Sequence, residues 1–277
     1  HEAAQAPGPG RSPAPAIVRV ECAGAAVTCS VRHWDKLRAL FERYGPKGGE
    51  DVGGGGRRQR SGAAAGGSGG FEAAAFAVLA RLHALQGGHP KAGGMQAALH
   101  GEVFDVLHDA LGCVAECFAS PLNCRWGRYC SAAPDVDRAF GSLGSFWDFH
   151  PEEGSYEANP PFDHEVVSAM TAHMERFLAR AEGRGAPLCF VVVIPRWPDQ
   201  PCWRALRDCR FQKAHLDLLQ ADHGYCEGAQ HYRLARHRVS NHDSSVFVLQ
   251  TVAAARRWPA TGAVLLRVAA AFRPKPA

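Results

Sequence analysis

The steadiest pattern in the chain is a run that is apolar at every position, "LCFVVVIP" (188–195). A strand apolar on both faces belongs in the middle of a sheet covered on both sides, so this run predicts a central strand. Shorter runs at "VAECFAS" (114–120), "SFWDF" (145–149), "SYEA" (155–158) and "SSVFVLQ" (244–250) predict further strands. "HLDLL" (215–219) follows a helix predicted from Cys202 to Ala214. Between Asp163 and Leu178 the period changes to that of a helix: Val166, Val167, Met170, Met174, Phe177 and Leu178 share one face. Asp163 stands where an N-cap belongs, directly after a Pro-Pro stop and Phe162. Strands alternating with helices over residues 112–251 predict an α/β sandwich with a mainly parallel sheet.

Upstream of residue 112 the pattern is mostly helical. "AIVRV" and "VTCSV" (within 16–31) alternate and predict a hairpin. Trp34, Leu37, Leu40, Phe41 and Tyr44 recur at threes and fours, as do Phe71, Phe76, Leu79 and Leu82, and a third helix is predicted near Gly101–Leu111. Residues 1–15 are rich in Ala, Pro and Gly without apolar period and predict a disordered lead-in. Residues 45–70 are so dense in glycine that neither helix nor strand repays the backbone entropy. The expected organisation is therefore a lead-in (1–15), a mostly helical domain (16–111) with a flexible insertion (45–70), and an α/β domain (112–277). Arg57, Arg58 and Arg60 in the insertion could touch nucleic acid, but solubilising loop charge is the favoured reading.

Composition narrows this picture only a little. A length of 277 residues is ample for one buried core, and a net charge of +4 permits nucleic acid as partner without requiring it. There are ten cysteines but no C-x-x-C pair, which predicts reduced, structural thiols and no metal site. That usage points to the nucleus or cytoplasm. No apolar run reaches the roughly 18–20 residues of a membrane span, and no membrane partner is expected.

Candidate chemistry gathers at "EANPPF" (157–162). Two prolines between a strand and a helix continue neither and set a stiff turn at a carboxyl edge of the sheet, where open α/β sheets bind ligands. The residue types suit methylation of the N6 amine of adenine by a sulfonium donor. That amine is a poor nucleophile, because its lone pair is delocalised into the ring. Acceptors on its two N–H bonds favour a tetrahedral geometry and stabilise the developing positive charge. The Asn159 side-chain oxygen and the Pro160 carbonyl supply such acceptors, Pro161 stiffens the turn, and Phe162 stacks on the purine. A proline turn packed by an aromatic is the plain alternative. "VIPRW" places Trp197 at the end of the next strand, on the same edge, either against substrate or as packing.

There is no G-x-G-x-x-G fingerprint. The best cofactor segment is "ECFASPLN", with Glu116, Ala119, Ser120, Pro121 and Asn123 as candidates; Glu116 also fits a solvated strand-end charge. Arg233, Arg236 and Arg238 in "YRLARHR", with Arg210 on the predicted preceding helix beside Arg204, Arg207 and Lys213, are spaced to follow a phosphate backbone or to form an ordinary solvated face.

The stretch "AECFASPLNCRWGRYCSAAPDVDRAFGSLGSFWDFHPEEGSYEANPPF" (115–162) strongly resembles the catalytic core of the phosphorylated-CTD-interacting-factor family, which contains the cap-specific adenosine N6-methyltransferase. The similarity continues through "LCFVVVIPRW", "CRFQKAHLDLL", "YCEGAQHY" and "SSVFVLQ", with weaker echoes in "HWDKLRALFERY" and "GGMQAALHGEVFDVLH". It spans about residues 20–258, apart from the glycine-rich insertion. The resemblance implies a Rossmann-type methyltransferase core behind a helical domain and S-adenosylmethionine as donor. It also implies capped RNA with a 5′-terminal adenosine as substrate, and the family's catalytic tetrapeptide maps onto Asn159, Pro160, Pro161 and Phe162. Vertebrate members also carry a WW domain that docks on polymerase tails; this sequence shows no two-tryptophan pattern of that kind, which puts such docking in doubt. Two other readings stay open: an adenine methyltransferase of DNA, and a non-catalytic nucleic-acid-binding module. The intact Asn159 speaks against the module.

Overall fold

The computed structural model describes residues 16–47, 68–85, 97–226 and 237–273. The lead-in, most of the glycine-rich insertion, Arg233 and Arg236 lie outside the described residues.

The predicted hairpin forms from β1 (Ile17–Cys22) and β2 (Ala25–Ser30), paired antiparallel. The turn is made by Ala23 and Gly24, both at positive φ. Helix α1 (Val31–Tyr44) starts at once, because the Ser30 side chain accepts from the His33 amide and caps it. With α2 (Ser68–Leu85) the hairpin and α1 surround an apolar cluster that includes Val20, Val27, Trp34, Leu37, Phe71, Leu79 and Leu82. Leu122 and Phe140 reach into it from farther along the chain.

Helix α3 (Gly101–Leu111) ends at Gly112, a left-handed cap whose N–H bonds the His108 carbonyl. Then come β3 (Ala115–Glu116), the short α4 (Pro134–Asp137), β4 (Gly154–Ala158), α5 (His164–Gly183), β5 (Leu188–Pro195), α6 (Pro201–Arg207) and β6 (Gln212–Leu218). The chain closes with β7 (Gly224–Cys226), β8 (His237–Val239), β9 (Ser244–Gln250), α7 (Val252–Arg257) and α8 (Gly262–Ala271).

The main sheet has the order β3-β4-β5-β9-β6, and β5 is central as its sequence requires. Phe190, Val192 and Ile194 face a core built with α5 and α6, whose Met170, Met174, Phe177 and Leu206 are buried there. Cys189, Val191 and Val193 face the opposite core, with Val103, Leu107 and Leu111 of α3 and Val268 of α8. All eight residues of β5 are buried. Burial of each large aliphatic chain contributes about 1.5–3 kcal/mol. The three-layered α/β class stands on this arrangement.

Several expectations are corrected. The sheet is mixed: β3-β4 and β4-β5 are parallel, while β9 runs antiparallel to both β5 and β6. Residues 145–149 are not a strand. The Ser145 side chain accepts from the Trp147 amide and starts a 3-10 turn over Phe146–Asp148. The segment 114–120 holds only two ladder residues. The helix predicted to Ala214 stops at Arg207, because the chain turns through Cys209, whose carbonyl accepts from Gln212, to enter β6. Helices α7 and α8 were not expected. All ten cysteines are free thiols, and among the described residues no helix is long and apolar enough to cross a membrane.

Candidate active site

The carboxyl ends of β3, β4 and β5 lie side by side, since the three strands are parallel. β4 leads directly into the Asn159-Pro160-Pro161-Phe162 turn, and α5 begins just beyond it. Asp163 caps α5 as expected: its carboxylate accepts from the Glu165 amide at 3.0 Å and the Val166 amide at 2.9 Å. Its own N–H bonds the Pro161 carbonyl at 2.8 Å. The tetrapeptide is therefore held between a ladder and a capped helix.

Asn159 has a defined orientation. Its Nδ2 donates to the Ala97 carbonyl at 3.1 Å. Its Oδ1 is buried and has no hydrogen-bond partner among the described residues. Ala97 is itself fixed, because the next residue, Ala98, exchanges both backbone bonds with Cys226 of β7 (3.2 and 2.7 Å). The amide thus turns its nitrogen to a backbone strap and leaves its oxygen as a free acceptor.

Two cavities meet at Ala97. The first encloses about 220 Å³ and is lined by Asn159, Pro161, Ala119, Asn123, Ser131 and Ser145, with Phe118, Phe146 and Trp147 as aromatic walls. The second, about 470 Å³, is lined by Phe162, Trp197, Tyr225, Arg238 and His242 among others. Phe162 is 37% exposed. Its ring stands edge-on to Trp197 (6.4 Å between centroids), Tyr225 (6.4 Å) and His242 (5.4 Å). Tyr225 is pinned by a 2.7 Å bond between its hydroxyl and Ser244 Oγ. The loop that carries Trp197 is tied down at Arg196, whose N–H bonds the Asp243 carbonyl and whose guanidinium bonds Asp217 at 2.8 Å.

The segment that follows β3 is built around two anchors, the buried Glu116 and the half-buried Lys36. Glu116 Oε2 accepts from the Arg125 amide at 2.7 Å and the Trp126 amide at 3.3 Å. Lys36 of α1 donates to the carbonyls of Leu122 (3.0 Å) and Cys124 (2.6 Å). Asn123 Oδ1 accepts from the Ser120 amide at 2.7 Å and its hydroxyl at 3.0 Å, closing a small turn. Glu116 and Glu157 face each other in register across β3 and β4. Burial pushes the Glu116 carboxyl up to about 7, and burial with the neighbouring Glu116 pushes Glu157 well above the ordinary carboxylate range.

The structure sorts the candidates read from the sequence. Asn159, Pro161, Ala119 and Asn123 line the first cavity; Phe162, Trp197 and Arg238 line the second. Pro160 is buried inside the turn. Glu116 lines neither: it is 3% exposed and holds the loop from behind. Ser120 and Pro121 face a separate groove against α2. Arg210 is misplaced as a substrate contact. It precedes β6, which runs parallel to β5, and so sits at the opposite edge of the sheet from Asn159 and Trp197. Lys213 lies on that strand rather than on a helix. Sequence reasoning missed Ala97, which sits in a featureless small-residue stretch, and Tyr225 and His242. The aromatic walls Phe146 and Trp147 were read as part of a strand.

The family described as "Phosphorylated CTD interacting factor 1 WW domain" matches residues 36–228, from within α1 to just past β7. The chain belongs to this family. Two curated relatives are each named "mRNA (2'-O-methyladenosine-N(6)-)-methyltransferase". The human protein is 41% identical over 184 residues, which is 65% of this chain and 26% of the relative. The mouse protein is 40% identical over the same coverage. The chain thus spans about a quarter of the length of these relatives. The family match takes in the whole Asn159–Phe162 turn and both loop anchors, Lys36 and Glu116. A crystal structure of TrmN from Thermus thermophilus aligns with 54% of this chain and 48% of its own at 13% identity, with a TM-score of 0.27, too slight to carry an argument.

Proposed function

We propose that this member of the family transfers a methyl group from S-adenosylmethionine to N6 of adenosine in RNA, at the first transcribed adenosine beside the cap. The observation that carries the reading is the Asn159 amide. Its nitrogen is committed to Ala97, the residue that lines both cavities, and its oxygen is buried with no partner among the described residues. A buried acceptor without a donor costs about 1–3 kcal/mol. An amine N–H arriving there would relieve that cost.

The first cavity suits the methyl donor. Phe118, Phe146 and Trp147 offer faces for its purine, and Asn123, Ser131 and Ser145 offer polar groups beside small backbone-exposing residues. Bound there, S-adenosylmethionine would supply an electrophilic sulfonium methyl. The second cavity suits the acceptor base, with Phe162, Trp197 and Tyr225 as stacking surfaces and Arg238 at its rim. Asn159 Oδ1 and the Pro160 carbonyl then accept from the two N6–H bonds, orient the lone pair toward the methyl and stabilise the charge that develops on nitrogen. No strong base is needed, since the proton can leave to water after transfer.

RNA as the substrate is drawn from the named activity of the human and mouse relatives, and the cap-adjacent position from the resemblance carried by residues 115–162. A terminal adenosine needs no extrusion from a duplex, which suits a site with no large groove-reading element among the described residues. The test is methyl transfer from labelled S-adenosylmethionine to an RNA beginning with adenosine, capped and uncapped, beside a DNA oligonucleotide. Product on the capped RNA alone is expected. Equal labelling of capped and uncapped RNA would remove cap recognition, and labelling of DNA alone would replace the substrate.

A further inference from the structure

We infer that the backbone strap at Ala97–Ala98 is a positioning element for catalysis, and that the Ala97 carbonyl is the reason this turn takes an amide and not a carboxylate. The inference rests on the proposed methyl transfer for its kinetic consequences, though not for its structural ones. Three observations carry it. The Asn159 Nδ2 donates to the Ala97 carbonyl. The strap is locked by the paired Ala98–Cys226 backbone bonds. The other half of the amide, Oδ1, is buried with no partner among the described residues.

A carbonyl can only accept. Opposite it, an amide has one satisfying orientation, nitrogen toward Ala97 and oxygen away from it. A flip would set oxygen against oxygen and turn N–H donors toward an incoming amine, which needs acceptors. An aspartate at 159 has the right oxygen for the amine. Its second oxygen, however, meets the Ala97 carbonyl with no proton between them. That arrangement raises the carboxyl's proton affinity. The protonated carboxyl restores the native pattern, with O–H donating to Ala97 and C=O accepting from the amine. The strap therefore turns an Asn-to-Asp exchange, sterically almost silent, into a pH-dependent one.

Asn159→Asp tests this in two independent ways. The first readout is thermal stability against pH, relative to wild type. The introduced carboxyl has a folded pKa raised above its unfolded value of about 3.9. The variant therefore matches wild type near pH 4 and falls behind as pH rises through the raised value. This readout needs no activity. The second is kcat. The variant loses on the order of 10²-fold at pH 8 and recovers toward wild type as pH falls, with KM for S-adenosylmethionine little changed. Other groups that titrate around the site are Glu116, Glu157, Tyr225, Cys226, Cys117, Cys130 and His242, with Arg238 a fixed charge at the rim. They are present in both proteins and cancel in the ratio.

A double-mutant cycle locates the effect. Ala98→Pro deletes the N–H that bonds the Cys226 carbonyl. It should lower kcat in the wild-type background and have little further effect beside Asn159→Ala. An Asn159→Asp stability deficit that does not change with pH overturns the inference, as does an Ala98→Pro loss of equal size in both backgrounds. Absence of methyl transfer by wild type with a pH-dependent stability deficit intact would instead remove the proposed reaction and leave the strap contact standing.

Discussion

Glu116 and Glu157 lie opposite one another on adjacent parallel strands, both buried, two residues behind the turn that holds Asn159. Only Glu116 has found donors, the amides of Arg125 and Trp126; Glu157 Oε1 has no hydrogen-bond partner among the described residues. Two like charges in that position cannot both form cheaply, so the pair holds at least one proton at neutral pH and titrates as a unit.

A pH dependence of stability follows. Both folded-state values are raised above the unfolded ones. The stability contributed by the protonated pair is therefore complete below about pH 4; for Glu116 it is lost as pH rises through about 7, and for Glu157 it falls in the same direction. For Glu116 alone the loss is on the order of 3 kcal/mol. Glu157→Gln removes a carboxyl that is charged in the unfolded chain and must give up that charge on burial. Its melting temperature should exceed that of wild type at pH 8, by about 2–4 °C for each kcal/mol recovered, and converge with it near pH 4. Melts of the two proteins across that range check this. A variant less stable than wild type at pH 8 would show that the Glu157 charge is wanted.

Phe162→Ala should change substrate binding far more than stability, since the ring is already 37% exposed. Loss of a stacking face costs about 1–3 kcal/mol of base affinity. It would appear as a KM for RNA raised roughly 5- to 150-fold with the KM for S-adenosylmethionine unmoved. An unchanged KM for RNA would assign the base to another surface.

Asp163→Ala removes the two cap bonds at the start of α5 and should cost about 1 kcal/mol of stability. The capped first turn of α5 also holds the Asp163 N–H that bonds the Pro161 carbonyl, so loosening that turn should lower kcat as well. Asp163→Asn, which keeps the capping oxygen, should restore most of both. Chemical denaturation with parallel rate measurements distinguishes a cap from a reacting group.

The parts of this architecture that announce themselves in sequence are those with one-dimensional causes. β5 is apolar at every position and lies at the centre of the sheet. Asp163 follows two prolines and caps the helix whose apolar face was already visible. The tetrapeptide stood out because no ladder or helix interior tolerates Pro160-Pro161. What stayed hidden depends on contacts between distant segments. "SFWDF" alternates like a strand, yet Ser145 caps a 3-10 turn and the aromatic rings wall a cavity. The basic spacing of Arg204, Arg207 and Arg210 suggested one helix face, but the helix stops at Arg207 and Arg210 falls at the far edge of the sheet. The direction of β9, which makes the sheet mixed, is not written in its residues. Ala97 carries no signal at all: its function is a backbone carbonyl placed 62 residues before the side chain it holds.

The most direct test of the central claim is single-turnover methyl transfer by wild type and Asn159→Ala on capped RNA beginning with adenosine, with the methylated nucleoside identified by mass spectrometry. The account predicts methyl on N6 with wild type and a fall of about 10²–10³-fold in the variant, with its melting temperature and S-adenosylmethionine binding preserved. Methyl found on the ribose or on another ring nitrogen, or near-normal turnover by the variant, would contradict it.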